Sequence, residues 1–178
     1  RRHSFPTRRS SDLQYWRDNR LNMIHEGTHG IQAMDLLGRK VLMEEGRGLK
    51  LLAGRVQATI HKAYSHAALK ENAKALTAAL LKIDAATKAA WSTGKPSDAL
   101  ANAVPYMQAF GHVVLAWIWL DVATSCVGKT DDVKNDANVG RQGAMQFFFN
   151  YELPKIDAWL NVVSNRDATC ADLPEAAF

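Results

Sequence analysis

The stretch LKENAKALTAALLKI, residues 69–83, decides the fold class of this chain. Its apolar positions alternate steps of four and three residues, which is the spacing of a helix that buries one face against a neighbour. These positions are Leu69, Ala73, Leu76, Leu80 and Ile83. The spacing predicts a long helix in an antiparallel bundle.

The same helical spacing recurs on both sides of this stretch. An earlier apolar set consists of Leu49, Leu52, Val56, Ile60 and Ala63. The break at residues 92–96 (STGKP) precedes a later helix, which Ser97 or Asp98 can cap. That later helix is apolar on most sides, which predicts a central position in the bundle. Its apolar positions are Val104, Met107, Phe110, Val114, Trp117 and Ile118.

A last helix is predicted over residues 142–164, after a polar loop at residues 128–138. Pro154 should kink it, because proline removes a backbone donor and clashes with the preceding turn. Its predicted inward positions are Phe148, Tyr151, Ile156, Leu160 and Val163. Six aromatic residues are predicted to be core rather than a ligand pocket: Trp117, Trp119, Phe147, Phe148, Phe149 and Trp159. No strand alternation stands out, so the predicted class is an all-α helical bundle.

Most of the positive charge lies in residues 1–13. Residues 3–13 (HSFPTRRSSDL) match the translation of a common sequencing-library adapter. We therefore expect residues 1–13 to be an artefact, disordered and outside the fold, with Gln14 near the first authentic residue of a truncated gene. This segment carries +3 of the net charge of +4, and the remaining +1 gives no reason to expect nucleic acid as a partner.

Cysteine usage and hydropathy bear on the cellular location. Cys126 and Cys170 offer no disulfide framework, so we expect free thiols in a reducing compartment, which favours a cytoplasmic location. The longest apolar run, residues 113–120, is far shorter than the roughly 20 residues that span a bilayer. We therefore expect no membrane span.

The stretch HEGTH, residues 25–29, fits two unrelated kinds of active site. As H-E-x-x-H it is a zinc-hydrolase pattern, with two histidine ligands and Glu26 as general base. However, Gly27 costs about 1 kcal/mol in the helix that this pattern requires. The positions where the extended motif has Gly and His hold Gln32 and Asp35. The zinc hydrolase is therefore our third hypothesis.

Read onward through residue 40 as EGTHGIQAMDLLGRK, the same segment closely resembles the catalytic-base segment of flavin-dependent acyl-CoA dehydrogenases. Residues 106–120 (YMQAFGHVVLAWIWL), together with the later helix around Phe147 and Phe148, resemble the extra C-terminal helical domain of one branch of that family. This branch includes the 3-methylmercaptopropionyl-CoA dehydrogenases. The resemblance extends from Gln14 to about residue 164.

The resemblance implies a division of the chain into segments. Residues 14–45 would be the end of the acyl-CoA dehydrogenase helical domain, with the catalytic-base segment. Residues 46–165 would form the extra C-terminal antiparallel bundle, and residues 166–178 a tail. Within the first segment, Thr28 is a predicted helix N-cap and Gly38 a predicted helix end.

The resemblance also implies a reaction, the α,β-desaturation of an acyl-CoA thioester. Glu26 would take the α-proton as general base, FAD would take the β-hydride, and Gly27 would contact the substrate. The residues that would line the bound FAD are Thr28, His29 and Gly30. An electron-transfer acceptor and a homo-oligomer are implied for the full-length enzyme, and the truncated chain alone is expected to be inactive.

A hypothesis from another class stands beside the dehydrogenase. The chain can be a non-catalytic helical interaction domain that has kept a degenerate form of the fingerprint at residues 25–40. The flavin content of an intact homologue separates these two hypotheses, and metal analysis separates the zinc hydrolase from both.

Overall fold

The structure is a computed structural model that describes residues 17–23, 28–127 and 136–177. Within these residues the chain is helical and contains no strand, which confirms the all-α class. Residues 1–13, expected to be disordered, lie outside the described residues, as do residues 128–135 of the predicted loop.

The α-helices are numbered here in chain order. They are α1 (His29–Asp35), α2 (Met43–Tyr64), α3 (Lys70–Ala90), α4 (Pro96–Leu100), α5 (Ala103–Cys126), α6 (Asp136–Phe147) and α7 (Ile156–Asn165). π-Helical segments follow α1 and α6, at Leu36–Lys40 and Phe148–Glu152. Short 3-10 helices lie at Arg20–Met23, Ala67–Leu69, Leu153–Lys155 and Glu175–Ala177.

Helices α2 and α3 form the pair that the opening stretch predicts. The two helices run antiparallel, because the start of α2 and the end of α3 line the same groove. The predicted helical faces are confirmed by the buried residues Val56, Ile60, Ala63, Leu69, Ala73, Leu76 and Ile83. Periodicity identified this pair because each helix buries a single stripe.

Helix α5 lies at the centre, where it packs against α1, α2, α3, α6 and α7. Its buried stripe consists mostly of small residues: Ala103, Tyr106, Ala109, Val113, Ala116, Leu120, Ala123 and Cys126. Small side chains allow neighbouring helix axes to approach closely. The predicted central position is confirmed. Of the apolar positions named from the sequence, Val104 and Ile118 are exposed, while the stripe of small residues lies inward.

Among the described residues, α5 is also the helix that is long and apolar enough to cross a membrane by length and composition. The core helix of a soluble protein can have the same length and composition, so this property alone is weak evidence of a membrane span. The two cysteines are free thiols, as predicted, with Cys126 buried and Cys170 exposed.

The start of α4 differs from the prediction. Lys95 is the N-cap and Pro96 is the first helical residue, so Ser97 and Asp98 lie inside the helix rather than at its cap. Proline suits this position because its missing N–H would have no helical partner there. Helix α4 ends at Leu100, so the region predicted as one helix is two.

The C-terminal region is more broken than the single kinked helix predicted for it. Its α-helical path is interrupted first by a π-helical segment that ends before Pro154 and then by a 3-10 segment that contains Pro154. Tyr151 and Phe147, both predicted to be inward, are 65% and 54% exposed and stack on each other. Phe149 is buried, as predicted for the aromatic core. A π-helical turn holds more residues than an α-helical turn, so it moves the inward face along the chain.

Candidate active site

The fingerprint segment leads into α1. His25, Glu26 and Gly27 lie outside the described residues, and the described backbone resumes at Thr28. The carbonyl of Thr28 accepts a hydrogen bond of 2.8 Å from the backbone N–H of Gln32, which makes Thr28 the N-cap by position. Its side chain makes no capping hydrogen bond, because its φ of −91° and ψ of −8° are helical rather than extended.

The outer face of α1 is accessible. His29 is exposed, and Thr28 and Gly30 are half-buried. A Cβ added at Gly30 would meet no atom within 4 Å. Ile31 and Met34 continue this face and are 62% and 45% exposed. The three predicted FAD-lining residues therefore begin an open face that another molecule or another lobe of a protein can contact.

The inner face of α1 is fixed to the bundle. Ala33, Leu37 and Val41, spaced by four residues, are buried in the same apolar core as α5. The helix does not end at Gly38, as the sequence predicts, but continues through it as a π-helical segment to Lys40. A Cβ at Gly38 would lie 3.2 Å from Cδ2 of Leu100, so glycine here allows α4 to pack closely against the segment.

The indole of Trp91 provides a further link to this segment. Its Nε1–H donates a hydrogen bond of 3.1 Å to the carbonyl of Leu37. Trp91 lies at the C-cap of α3, next to the STGKP break. No motif or spacing relates Trp91 to the fingerprint, so the sequence alone does not predict this contact.

Two ion pairs lie at the C-terminal end of α1. The Arg39 guanidinium donates to Asp35 Oδ1 at 2.5 Å, and Lys40 Nζ lies 3.4 Å from Oδ2 of the same carboxylate. The hydrogen bond from Arg39 holds the pKa of Asp35 below its usual value, against the opposing effect of desolvation. The Asp35 carboxylate therefore accepts from two cations and is held in its charged form by them.

No group of three or more His, Cys, Asp and Glu side chains that could hold a metal ion occurs among the described residues. The first two residues of the H-E-x-x-H pattern lie outside the described residues, so this observation does not test that pattern. Glu44 and Glu45, which follow the fingerprint segment, are exposed and have left-handed backbone angles. Glu44 pairs with Arg47 at 2.9 Å.

An apolar groove of about 460 Å³ runs between α2 and α3. It is lined by the start of α2, including Leu42, Leu49 and Ala53, and by Leu80 and Ile83 of α3. The groove volume falls within the usual range of small-molecule sites. The lining residue nearest to the fingerprint segment is Val41, which directly follows the first π-helical segment.

A protein-family model matches most of the helical bundle described above. The family model described as "Acetyl-CoA dehydrogenase C-terminal like" matches residues 52–174, which include most of α2 and the whole of α3 to α7. The chain belongs to this family. The matched segment contains Trp91 and the central helix α5, while the fingerprint segment lies just before it.

Three curated relatives are acyl-CoA dehydrogenases. The broad-specificity linear acyl-CoA dehydrogenase FadE5 of Mycobacterium tuberculosis is 25% identical over 93% of this chain and 29% of its own length. The 3-methylmercaptopropionyl-CoA dehydrogenase of Ruegeria pomeroyi is 36% identical over 58% of this chain and 18% of its own. The butyryl-CoA dehydrogenase of Syntrophomonas wolfei is 27% identical over 91% and 28%.

These relatives confirm the resemblance to acyl-CoA dehydrogenases, including the 3-methylmercaptopropionyl-CoA branch. The chain spans less than a third of the length of each of the three. The match to the M. tuberculosis enzyme covers 93% of the chain, so it must include most of the residues that precede the family segment at residue 52. Similarity to the acyl-CoA dehydrogenases therefore extends beyond the C-terminal bundle into the region of α1.

Proposed function

We propose that this chain is part of an FAD-dependent acyl-CoA dehydrogenase that introduces an α,β double bond into an acyl-CoA thioester. The observation that carries the proposal is the position of the fingerprint. Residues 26–40 carry the catalytic-base pattern, and the helix that they enter packs directly on α5 of the family segment. A cytoplasmic homo-oligomer that passes electrons to a separate acceptor is part of the same proposal.

Glu26 would act as the general base. The α-proton of a thioester is weakly acidic, so its removal needs a carboxylate held in a site that excludes water. Only Gly27 separates Glu26 from Thr28, whose carbonyl makes the first hydrogen bond of α1. The inner face of α1 is packed in the core, so the backbone of this helix has a fixed position. A residue close to the start of such a helix is suitably placed to act as a base. Gly27 would let the thioester approach the backbone closely.

The residues after Gly27 fit one edge of a flavin site. Thr28 and His29 carry side chains that can donate hydrogen bonds, and the space beyond Gly30 is open. When bound, FAD would supply the redox chemistry by accepting the β-hydride. Thr28, His29 and Gly30 would hold the cofactor from one side, and the rest of its site would come from other parts of the enzyme. Two residues depart from the catalytic-base segment that this stretch resembles: His25 stands where that segment usually has Tyr, and Gly30 where it often has Gln.

The test uses the full-length enzyme that carries this segment and compares Glu26→Gln, His25→Ala and His29→Ala. The amide of Glu26→Gln is nearly isosteric with the carboxylate but cannot accept a proton. We expect this variant to keep FAD and substrate binding while turnover falls by a factor of about 10²–10⁴. The two histidine variants should lose less activity, because they change packing beside the site without removing the base.

FAD content, zinc content and acyl-CoA-dependent dye reduction should be measured on the same preparations. Zinc that is tightly bound in the parent enzyme and lost in either histidine variant would contradict the proposal in favour of a zinc hydrolase. An intact enzyme that binds neither FAD nor acyl-CoA would indicate a non-catalytic interaction domain.

A further inference from the structure

Two apolar hollows lie end to end between α2 and α3. The first is the groove of about 460 Å³ described above, and the second, of about 320 Å³, continues it towards the end of α2. Gln57, Leu80 and Leu81 line both hollows, so the two form one continuous α2–α3 groove. From Val41 to Tyr64 this groove follows about 30 Å of helix. An open groove of this length suits another pair of helices better than one compact ligand.

The α2–α3 groove presents apolar side chains that the described helices leave uncovered. Leu81 is 66% exposed and Leu42 is 42% exposed. Leu49 and Ala53 of α2 and Leu80 of α3 are half-buried beside them and form the floor. A contiguous exposed apolar surface marks an interaction site. A pair of antiparallel helices with such a face becomes a four-helix bundle when a second pair packs on it.

The two walls of the groove carry charges in a complementary order. Leu49 of α2 and Ile83 of α3 line both the groove and a small cavity beneath it, so they lie level with each other on these antiparallel helices. Two pairs of opposite charge are therefore level across the groove: Glu45 with Lys88, and Lys50 with Asp84. Wherever one wall carries an acid, the other carries a base.

These charges are not paired across the groove within one chain. Lys88 binds Asp84 of its own helix at 2.6 Å, and this pair is exposed. Glu45 and Lys50 form no ion pair with another described residue. A two-fold axis parallel to the groove would lay α2 of one copy on α3 of a second copy at the same level. Each acid would then meet a base of the other copy, and symmetry makes each such contact twice.

We propose that the α2–α3 groove binds a second copy of this chain, so that the two helix pairs form a symmetric four-helix bundle. The apolar floor provides the affinity, because Leu81 of each copy packs on the small Ala53 of the other. The charged walls set the register and exclude other alignments.

The size of the groove sets the expected strength of this dimer. Two helices, each about 10 Å wide, cover roughly 600 Å² per copy over about 30 Å. This area lies at the low end of stable interfaces, so we expect a dissociation constant of roughly micromolar size. The proposal goes beyond the proposed function, because it assigns a surface to the homo-oligomer. Its test needs neither flavin nor turnover, so failure of either proposal is seen separately.

The first test is sedimentation equilibrium of the 178-residue chain over roughly a hundredfold concentration range around the micromolar level. A reversible equilibrium between monomer and dimer is expected. Leu81→Glu should remove the dimer, because it would bury an unpaired charge in the interface. Leu51→Glu is the matched control, since Leu51 is 63% exposed on α2 but does not line the groove. This control should keep the parent dissociation constant, and circular dichroism should show that both variants keep their helices.

Two outcomes of this first test overturn the proposal. A parent chain that stays monomeric throughout would assign the groove to another occupant. An equal loss of the dimer in Leu81→Glu and Leu51→Glu would place the interface elsewhere on the chain.

The second test exchanges charges between the walls. Glu45→Lys and Lys88→Glu each set like charges opposite one another at two symmetric positions, so each should weaken its own dimer roughly tenfold. The first variant then has bases at both positions and the second has acids at both. An equimolar mixture restores an opposite charge at every contact, so it should form heterodimers with about the parent dissociation constant, measured by energy transfer between labelled chains at low salt. A mixture that associates no better than either variant alone overturns the proposal.

Discussion

The side-chain oxygens of Tyr106 and Thr87 lie 2.7 Å apart between α5 and α3, and the Tyr106 side chain is completely buried. The Thr87 hydroxyl donates to the carbonyl of Ile83 at 2.7 Å, so the Tyr106 hydroxyl is the donor to Thr87. A chain of two hydrogen bonds thus crosses the interface between the central helix and α3. Each polar atom in it has a partner, which offsets the cost of placing a phenol and a hydroxyl in an apolar core.

The two partners should respond differently to truncation. Tyr106→Phe removes a donor and leaves Thr87 bonded to Ile83, so we expect a loss of about 1 kcal/mol in the free energy of unfolding. Thr87→Val leaves the buried phenol without its acceptor and should cost more, about 1–3 kcal/mol. Urea denaturation measures both losses, and the double variant should lose less than the two together.

Thr77→Val is the matched control for this pair. Thr77 lies on the same helix and its hydroxyl also donates to a backbone carbonyl, that of Ala73 at 2.8 Å. Because Thr77 is only partly buried and its hydroxyl bonds within its own helix, the loss in its variant should be below about 0.5 kcal/mol. An equal loss in Thr77→Val and Thr87→Val would contradict a special role for the contact with Tyr106.

The same phenol predicts a decline of stability at alkaline pH. Burial raises the pKa of Tyr106 from 10.0 to about 12, while the hydrogen bond from Tyr106 to Thr87 acts in the opposite direction. A group whose pKa is raised in the folded state stabilises the fold fully below the unfolded pKa, and this contribution is lost as pH rises towards the folded pKa. The stability difference between the parent chain and Tyr106→Phe should therefore change between pH 10 and pH 12.

The expected size of this change follows from the shift. Two pKa units correspond to about 2–3 kcal/mol, so the parent chain should lose about that much more stability than Tyr106→Phe over the interval. Urea denaturation at a series of pH values measures the difference. Parallel stability curves for the two proteins across this range would contradict the burial of a neutral phenol.

Sequence periodicity predicted those parts of the fold in which one face of a helix is buried. Residues 69–83 illustrate this, because Ala73, Leu76 and Ile83 have the spacing of a single buried stripe. For α5 the same reasoning gave the central position but did not single out an inward face. Apolar residues surround that helix, so periodicity could not identify the stripe of small residues that the neighbouring helices approach most closely.

The candidate site could be predicted only in part, for a different reason. The fingerprint predicts a helix start at Thr28, which the structure confirms, because caps and glycines act locally. The bond between Trp91 and Leu37 joins residues 54 positions apart and depends on a π-helical turn. No local pattern encodes such a contact. The roles of Glu26 and of the flavin-lining residues come from family resemblance and stay predictions.

The left-handed turn at the start of α2 predicts opposite effects for two nearby glycines. Gly46 has φ of +75°, and a Cβ there would lie 3.3 Å from the backbone oxygen of Val41. Gly46→Ala should therefore destabilise the chain by about 1–2 kcal/mol. Gly48 lies in the regular part of the helix with nothing within 4 Å of an added Cβ, so Gly48→Ala should stabilise it by about 0.5–1 kcal/mol.

Thermal denaturation of the two variants, followed by circular dichroism, checks this prediction. The melting temperatures should move in opposite directions from that of the parent chain. A gain of stability in Gly46→Ala would show that this turn is right-handed in solution and that α2 continues without interruption from Met43.

The last prediction concerns the 178-residue chain by itself. Desaturation needs FAD and the thioester to be bound side by side, and the described residues offer only one open face, at Thr28, His29 and Gly30, for the cofactor. The chain also spans less than a third of the length of its dehydrogenase relatives. We expect the purified chain to show no visible flavin absorption and no acyl-CoA-dependent dye reduction, even after incubation with FAD.

The full-length enzyme, purified in the same way, is the control and should retain the cofactor. Stoichiometric FAD on the 178-residue chain would mean that the bundle itself completes the flavin site, and the assignment of only one edge of that site to α1 would then be wrong.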